Sequence, residues 1–577
     1  MDRDDLLILG AALGVAGLFT FQELRIAGTI GFPLDDSWIH LRFAQNLAEG
    51  NGFSYNRGIP VAGSTAPLWT LLLAMGYKVS GAMLTTVKGL GLLFAAATGV
   101  VTRRLAGELT HDRSLALAAG IGTMLMGRMA WGALSGMEVT LAAFLATLGL
   151  LSFLRGSLWS STVVFALATL ARPEAGLLFV LLWGYACLEP LPSFWRRARV
   201  AAGSLTLYLL LLSPSLVLSL LTVGQPVPAT ALAKVEGGLL AALTGQSEPL
   251  RLALWTRPLG YLGEYAAMLW HDHPLLLLFG AIGAGQLWRL GGRGRVLTLA
   301  LLLHPLAMAW VAPYRGPAFQ TGRYSSHLLP LAVAAAVFGL GDLLKLPQIR
   351  QAVVAFGLLL SLILAWPSAR EYAWGVQNIN AMQVELGRWV SRELPEGARL
   401  AVNDVGAIAF FSDREVIDLV GLVSPEVLPY KRRGESGILE FLERACPDYL
   451  IIFPTWYPRL SATTDRFRPI HRVRLAENHV AGGDEMVVFL TPWNRWRPDR
   501  VACSSGSGKT SRRPEAAVPF QMTSQMRPEG GANRSIRPSP PAAGLGARKG
   551  TGDNRTMISG RRPSFAGTHE VGRGAAL

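Results

Sequence analysis

The sequence predicts a polytopic α-helical membrane protein with a C-terminal α/β domain and a disordered basic tail. Three observations predict it. Hydrophobic residues make up 51% of the 577 and charged residues only 16%, a balance typical of chains that sit in lipid. Apolar runs long enough to cross a bilayer recur from Leu6 to Pro367. Beyond Pro367 the pattern changes to short strand-like runs mixed with helical ones.

The first run, Leu6 to Phe21 and extendable to Ala27, follows an Asp-Arg-Asp-Asp start and lacks a convincing cleavage site, so it reads as a retained helix. Further spans are expected at 84–102, 114–131, 137–154, 158–172, 174–190, 200–222, 265–288, 296–312, 328–344 and 351–367. That makes about eleven, within two. Basic residues gather at Arg103 to Arg113, Arg155, Arg196 to Arg199, Arg289 to Arg295 and Lys345 to Arg350. An even number of spans separates these loops, and short Lys/Arg-rich loops mark the cytoplasmic face. Residues 67–81 are apolar but short, with Lys78 near their end. Read as re-entrant or interfacial, they leave the basic loops inside and the loop 28–66 outside. Loops 132–138, 224–264 and 313–327 then share the outer face.

After the spans, residues 371–395 read as an amphipathic helix. Strand-like runs follow at Arg399–Val402, Ile408–Phe411, Val416–Leu419, Tyr449–Phe453 and Met486–Leu490, with a helical stretch at Gly437–Arg444. These suggest a compact α/β domain of roughly 125 residues on the outer side. From Pro498 the chain is rich in Gly, Ser, Pro and Arg and is expected to be disordered. The resulting division is 1–367 for the membrane domain, 368–497 for the outer domain and 498–577 for the tail.

The net charge is +15, but Pro498 to Leu577 holds 13 Lys and Arg against 5 Asp and Glu, a net of +8. More than half the excess therefore lies in the tail, and nucleic acid is not expected as a partner. Cys187, Cys446 and Cys503 fit neither a disulfide framework nor a Cys-rich metal site. Gly506-Ser507-Gly508-Lys509-Thr510 lacks the earlier glycine, strand and helix of a phosphate-binding loop. His271-Asp272-His273 has no evident partner ligand and reads as an interfacial loop.

Chemistry gathers instead on the outer face. Asp35 and Asp36 are adjacent carboxylates at the edge of a bilayer, where ionisable groups are rare and usually functional. Glu138 opens an apolar run, Arg172-Pro173-Glu174 joins two spans, Lys234 lies in an outer loop, and Arg323-Tyr324 precedes a span. Together they bring carboxylates and cations to one side. Transfer from an anionic lipid phosphate needs such groups: a carboxylate to take a hydroxyl proton, and cations to stabilise the departing phosphate.

The run Asp35-Asp36-Ser37-Trp38-Ile39 through Asn46-Leu47-Ala48-Glu49-Gly50-Asn51-Gly52-Phe53 resembles the first outer loop of bacterial GT-C glycosyltransferases, most of all the arabinofuranosyltransferase and mannosyltransferase-like branch. Gly63-Ser64-Thr65-Ala66-Pro67-Leu68-Trp69, Gly136-Met137-Glu138, Arg172-Pro173-Glu174, Pro228-Ala229-Thr230 with Lys234, and Gly322-Arg323-Tyr324 extend the likeness. So do Asp404-Val405-Gly406-Ala407-Ile408 and Asp418-Leu419-Val420-Gly421-Leu422 in the outer domain. Ser37-Trp38, Ser64 and Ala229-Thr230 depart from the family's commoner residues.

The resemblance implies a GT-C-like fold and an inverting transferase. Its donor would be a polyprenyl-phosphate sugar, arabinofuranose- or mannose-like, and its acceptor a glycan, lipid or protein. The base would be an outer-loop aspartate, Asp35 first and Asp36 second. Lys234, Arg323 and Tyr324 would hold the donor phosphate, and His40, Glu138, Arg172 and Glu174 the sugar or acceptor. No cofactor is required, and a divalent metal is left open. The expected location is the inner (plasma) membrane, with the site and the α/β domain extracytoplasmic. A lipid-linked saccharide transporter and a non-catalytic scaffold are the rival readings.

Overall fold

The structure, a computed structural model, describes residues 2–188, 194–235, 237–243, 245 and 248–503. The tail from 504 onward, including the Gly506–Thr510 run, lies outside the described residues.

Helix α1 (Arg3–Ala27) starts on a capping box between Asp2 and Asp5 and ends at Gly28, which takes the left-handed conformation. Helix α2 (Asp36–Ala48) and helix α3 (Pro67–Ser80) precede helix α4 (Met83–Thr110). Arg103, near the end of α4, pairs with Asp2, Asp4 and Asp5 at 2.8, 3.0 and 2.9 Å. Arg113 pairs with Asp4 at 2.9 Å. The end of α4 therefore lies beside the start of α1, and α3 must begin and end on the opposite face with α2. Its 14 residues are too few to cross a bilayer.

Helices α5 (Arg113–Leu125) and α6 (Gly127–Leu134) lead to a sharp turn, and α7 (Val139–Leu154) leaves it at 119° to α6. The chain continues through α8 (Leu158–Ala171), α9 (Gly176–Leu188) and α10 (Phe194–Val223). A long connection holds the short helices α11 (Ala229–Lys234) and α12 (Gly238–Leu243). Helices α13 (Arg257–Asp272), α14 (Pro274–Leu290) and α15 (Gly292–Val311) follow, then the helices Leu329–Leu343 and Pro347–Ile379. Among the described residues, six helices are long and apolar enough to cross a membrane, or seven if the bent pair α6 and α7 counts as one span, and four shorter apolar helices accompany them. The protein is a multi-pass membrane protein. Gly283 of α14 meets the Leu329–Leu343 helix so closely that a Cβ would strike the Ala335 carbonyl, a small-residue contact typical of helices packed in lipid.

The last long helix does not stop at Pro367. It runs from Pro347 to Ile379, passes through a π turn at Asn380–Val384 and continues from Glu385 to Glu393. A proline removes one intrahelical hydrogen bond, and here the chain stays helical on both sides of it. The expected break between 367 and 371 is instead a continuous rod joining the bundle to the outer domain.

That domain is a five-stranded mixed sheet of order β2-β1-β3-β5-β4. Its strands are β1 (Arg399–Val402), β2 (Glu415–Asp418), β3 (Tyr449–Ile452), β4 (Arg468–Arg474) and β5 (Glu485–Leu490). Both neighbours of β1 run parallel to it, and β5 runs antiparallel to β3 and β4. One sheet face packs Leu400, Val402, Ile451 and Val488 on Leu386 and Val390, and also on Ile39, Phe43 and Tyr55 of the first outer loop. The other face packs Ala401, Leu450 and Ile452 on Ile438 and Leu442 of the helix Gly434–Ala445.

Three local expectations are corrected. Ile408–Phe411 lies in a helix, Gly406–Ser412, since four apolar residues carry too little periodicity to separate helix from strand. Strand β4 was not expected because its sequence, Arg-Pro-Ile-His-Arg-Val-Arg, is that of an exposed, charged edge. Cys446 and Cys503, which with Cys187 fitted no disulfide framework in the sequence, form a disulfide.

Candidate active site

Where α2, the turns before α7 and α9, α11 and the segment after α15 come together, they enclose a cavity of about 330 Å³. Asp36, the first residue of α2, points its carboxylate at two cations. Oδ2 accepts from Arg323 Nη2 at 2.6 Å and from Lys234 Nζ at 3.2 Å. Lys234 ends α11, a helix started by Pro228. Arg323 follows Gln320, Thr321 and Gly322, whose φ angles of 48°, 59° and 65° are all left-handed. This unusual turn directs the guanidinium inward, where it is 2% exposed. Burial alone would raise the Asp36 carboxyl, but Lys234 and Arg323 outweigh it and hold it well below the ordinary carboxylate range.

A second chain of polar groups lines the adjacent wall. Glu138 Oε1 accepts from Arg172 Nη1 at 2.5 Å, and Glu138 Oε2 lies 3.2 Å from His40 Nε2. Arg172 also reaches Glu174 at 3.3 Å, and His40 Nδ1 lies 3.4 Å from the Ser64 hydroxyl. The Tyr324 ring joins the two groups: Arg172 and Arg323 stack on it at 4.8 and 5.1 Å, and its hydroxyl accepts from Arg323 at 3.1 Å. The far wall is apolar, formed by residues such as Val227, Leu239, Leu240, Met308 and Val311.

Of the nine residues singled out from sequence, Asp36, His40, Glu138, Arg172, Glu174, Lys234, Arg323 and Tyr324 line this one cavity. Asp35 does not. Its carboxylate turns to the outer domain and accepts the Gly406 and Ala407 amides at 2.6 and 2.7 Å. Burial pushes Asp35 up to about 6, against the pull of those two amides.

The outer domain also fixes the neighbouring loops. Tyr55 donates to the Val405 carbonyl at 2.7 Å, and Asn56 exchanges two hydrogen bonds with Val416. The Thr230 hydroxyl contacts the Gly63 and Leu422 carbonyls. The Asp418 carboxylate shapes the loop carrying Leu422 by accepting the Val420, Leu422 and Val423 amides. Leu422 in turn lines the cavity.

Sequence reading passed over Tyr314, which faces Lys234 at 5.7 Å, and the pair of half-buried Lys88 and buried Glu23 at 2.6 Å. Glu23 also accepts the Gly31 amide at 2.9 Å, just ahead of the aspartates. Charges inside apolar runs were the available signal for that pair. Elsewhere, Asp272 pairs with Arg128 at 2.7 Å and His273 meets the Gly357 carbonyl. Among the described residues no three His, Cys, Asp or Glu side chains form a group that could hold a metal ion.

The fold defines the class: this chain has the fold of the GT-C glycosyltransferases, as its outer-loop motifs implied. Several solved structures are similar, among them the following two. ArnT from Cupriavidus metallidurans, bound to undecaprenyl phosphate, superimposes with a TM-score of 0.51 at 13% identity over 84% of this chain and 97% of that one. The archaeal oligosaccharyltransferase AglB from Archaeoglobus fulgidus, in complex with an inhibitory peptide and a dolichol-phosphate, superimposes with a TM-score of 0.50 at 11% identity over 81% and 73%. Residues 376–493 match a domain of unknown function, DUF8728. No curated protein matches the sequence.

Proposed function

We propose that this protein is a membrane glycosyltransferase that moves a sugar from a polyprenyl-phosphate donor to a hydroxyl group of a glycan, lipid or protein acceptor. The observation that carries the reading is the contact of one carboxylate, Asp36, with two cations, Lys234 and Arg323, in a cavity whose other wall is apolar. The cations suit a phosphate, and the apolar wall suits the first isoprene units. ArnT with undecaprenyl phosphate and AglB with a dolichol-phosphate carry ligands of that same chemical class.

In this mechanism Asp36 takes the acceptor's hydroxyl proton, and the acceptor oxygen attacks the anomeric carbon from the face opposite the phosphate. The carbon–oxygen bond to the phosphate breaks, its electron pair stays on the phosphate, and the anomeric configuration inverts. Lys234 and Arg323 stabilise the charge that develops there. Tyr324 sets the Arg323 guanidinium, while His40, Glu138, Arg172 and Glu174 offer hydrogen bonds to sugar or acceptor hydroxyls. The base role falls to Asp36 in preference to Asp35, because only Asp36 faces the cavity. An arabinofuranose- or mannose-like sugar is proposed from the outer-loop motifs alone.

The location proposed is the inner (plasma) membrane with the cavity and the α/β domain outside. Basic loops on the opposite face support it, as does a disulfide in the outer domain, a bond that persists in oxidising compartments.

The test is transfer in membranes supplied with a panel of labelled polyprenyl-phosphate sugars. Wild type transfers one of them and Asp36→Asn, expressed at the same level, does not. Equal transfer by both removes Asp36 from the chemistry, and flux of the lipid-linked sugar without transfer favours a transporter.

A further inference from the structure

We infer that the two cations proposed to bind the donor hold Asp36 in check when no donor is present, and that the donor's phosphate is what releases it. This rests on the glycosyltransferase reading and adds to it a control on when the base becomes available.

Both cations converge on one oxygen. Asp36 Oδ2 accepts from Arg323 Nη2 at 2.6 Å and from Lys234 Nζ at 3.2 Å. A carboxylate between two such charges is a poor proton acceptor. The cations, for their part, are not fully used. Among the described residues, Arg323 Nε is buried without a hydrogen-bond partner, and Nη1 has only the Met137 sulfur at 3.9 Å. Leaving guanidinium donors buried and unmatched is costly, and the two non-bridging oxygens of a phosphodiester, which share one negative charge, fit the Nε and Nη2 edge in fork geometry, the same Nη2 that now meets Asp36.

Phosphate at these donors neutralises part of the positive charge on Asp36 and competes for the same N–H groups. The carboxylate gains proton affinity only once the donor is seated. Transfer then moves the acceptor's proton to Asp36, forms the bond from acceptor oxygen to anomeric carbon and breaks the carbon–oxygen bond to phosphate. The polyprenyl phosphate leaves with the electron pair and one more negative charge. When Asp36 passes its proton to water, the restored carboxylate competes for Lys234 and Arg323 and helps expel the product. Idle hydrolysis and product trapping are both suppressed by the same exchange.

The inference fixes a sign. If Asp36 competes with phosphate, its neutralisation must tighten phosphate binding even though transfer is lost. If Asp36 only holds the cations in position, its neutralisation must weaken binding. The experiment measures the affinity of the purified full chain in lipid nanodiscs for undecaprenyl phosphate carrying no sugar. Wild type is compared with Asp36→Asn, Asp36→Ala and Lys234→Gln, each checked for an unchanged melting transition. The expected result is tighter binding by both Asp36 variants, on the order of fivefold, and weaker binding by Lys234→Gln. Equal or weaker binding by whichever Asp36 variant retains the fold, with Lys234→Gln still weakened, overturns the competition and leaves the transferase reading intact. No binding by wild type, or equal binding by wild type and Lys234→Gln, overturns the donor-site reading and the competition with it.

Discussion

The Gly406 amide donates to the carboxylate of Asp35 at 2.6 Å, although 371 residues separate the two in the chain. The other carboxylate oxygen takes the Ala407 amide at 2.7 Å, so Asp35 satisfies two donors at the start of the helix Gly406–Ser412. The backbones approach so closely that a Cβ on Gly406 would collide with the Asp35 carbonyl oxygen. Asp35 thereby joins the outer domain to the residue next to Asp36.

The Gly406→Ala variant therefore forces this junction apart. Overpacking of this kind costs about 1–3 kcal/mol, and here the displacement is transmitted to α2. Thermal unfolding should show the loss of stability, and transfer should fall further than the loss of folded protein explains.

The two adjacent aspartates should separate by function. Asp36→Asn removes the proposed base and should lower transfer about 10²–10⁴-fold. Asp35→Asn should keep transfer, since an amide oxygen can still accept one of the two N–H groups.

Stability against pH gives Asp35 a second signature. Its carboxyl is raised from the ordinary 3.8 to about 6, chiefly by burial, and Asp404 beside it is raised as well. A raised carboxyl favours the proton in the folded state, so the cost of charging it is absent below pH 3.8 and complete above pH 6. The groups facing Asp35 are Asp36, Asp404 and Tyr55. Relative to wild type, Asp35→Asn should gain stability between pH 4 and pH 7, as read from melting temperatures across that window. A constant difference would mean that Asp35 carries no such cost.

The sequence made much of this site legible because its chemistry is concentrated in outer loops flanked by apolar runs. Glu138, Arg172 and Arg323 each stood out as charges where a span meets water and Lys234 as a cation in an outer loop, and the alternation of basic loops put them on one face. Which aspartate faces the cavity was not legible. Asp35 and Asp36 have the same chemistry, and only the packing of Gly406 against Asp35 separates them. The outer domain's hold on α2 was hidden for a related reason. Phe43 and Phe53 are apolar residues whose spacing fits a lipid surface or a sheet face equally well. Phe43 packs in the same core as Val402 and Ile451, contacts that only tertiary structure brings together.

Glu138 offers a test of the second wall. Its carboxylate is the nearest partner of Arg172, which is 4% exposed. Glu138→Gln leaves that guanidinium with Glu174 as its remaining ion-pair partner, and breaking a buried pair costs about 3–5 kcal/mol. Lower stability and a higher KM for the donor sugar are expected. An unchanged KM would remove Glu138 from sugar recognition and leave it a structural partner of Arg172.

The disulfide tests the proposed orientation directly. Cys446 ends the helix Gly434–Ala445 in a left-handed cap, and its bond to Cys503 closes a loop over a sequence separation of 57. A bridge of that span contributes about 2–4 kcal/mol by restricting the unfolded chain, so Cys446→Ser should lower the melting temperature. Cys187, on α9, is free. In protein taken directly from membranes, denatured and treated with a mass-tagged alkylating reagent, only Cys187 should react before reduction, and all three cysteines after it. Reaction of Cys446 and Cys503 without reduction would put the outer domain in a reducing compartment, and the proposed acceptor hydroxyl would then lie on the cytoplasmic side.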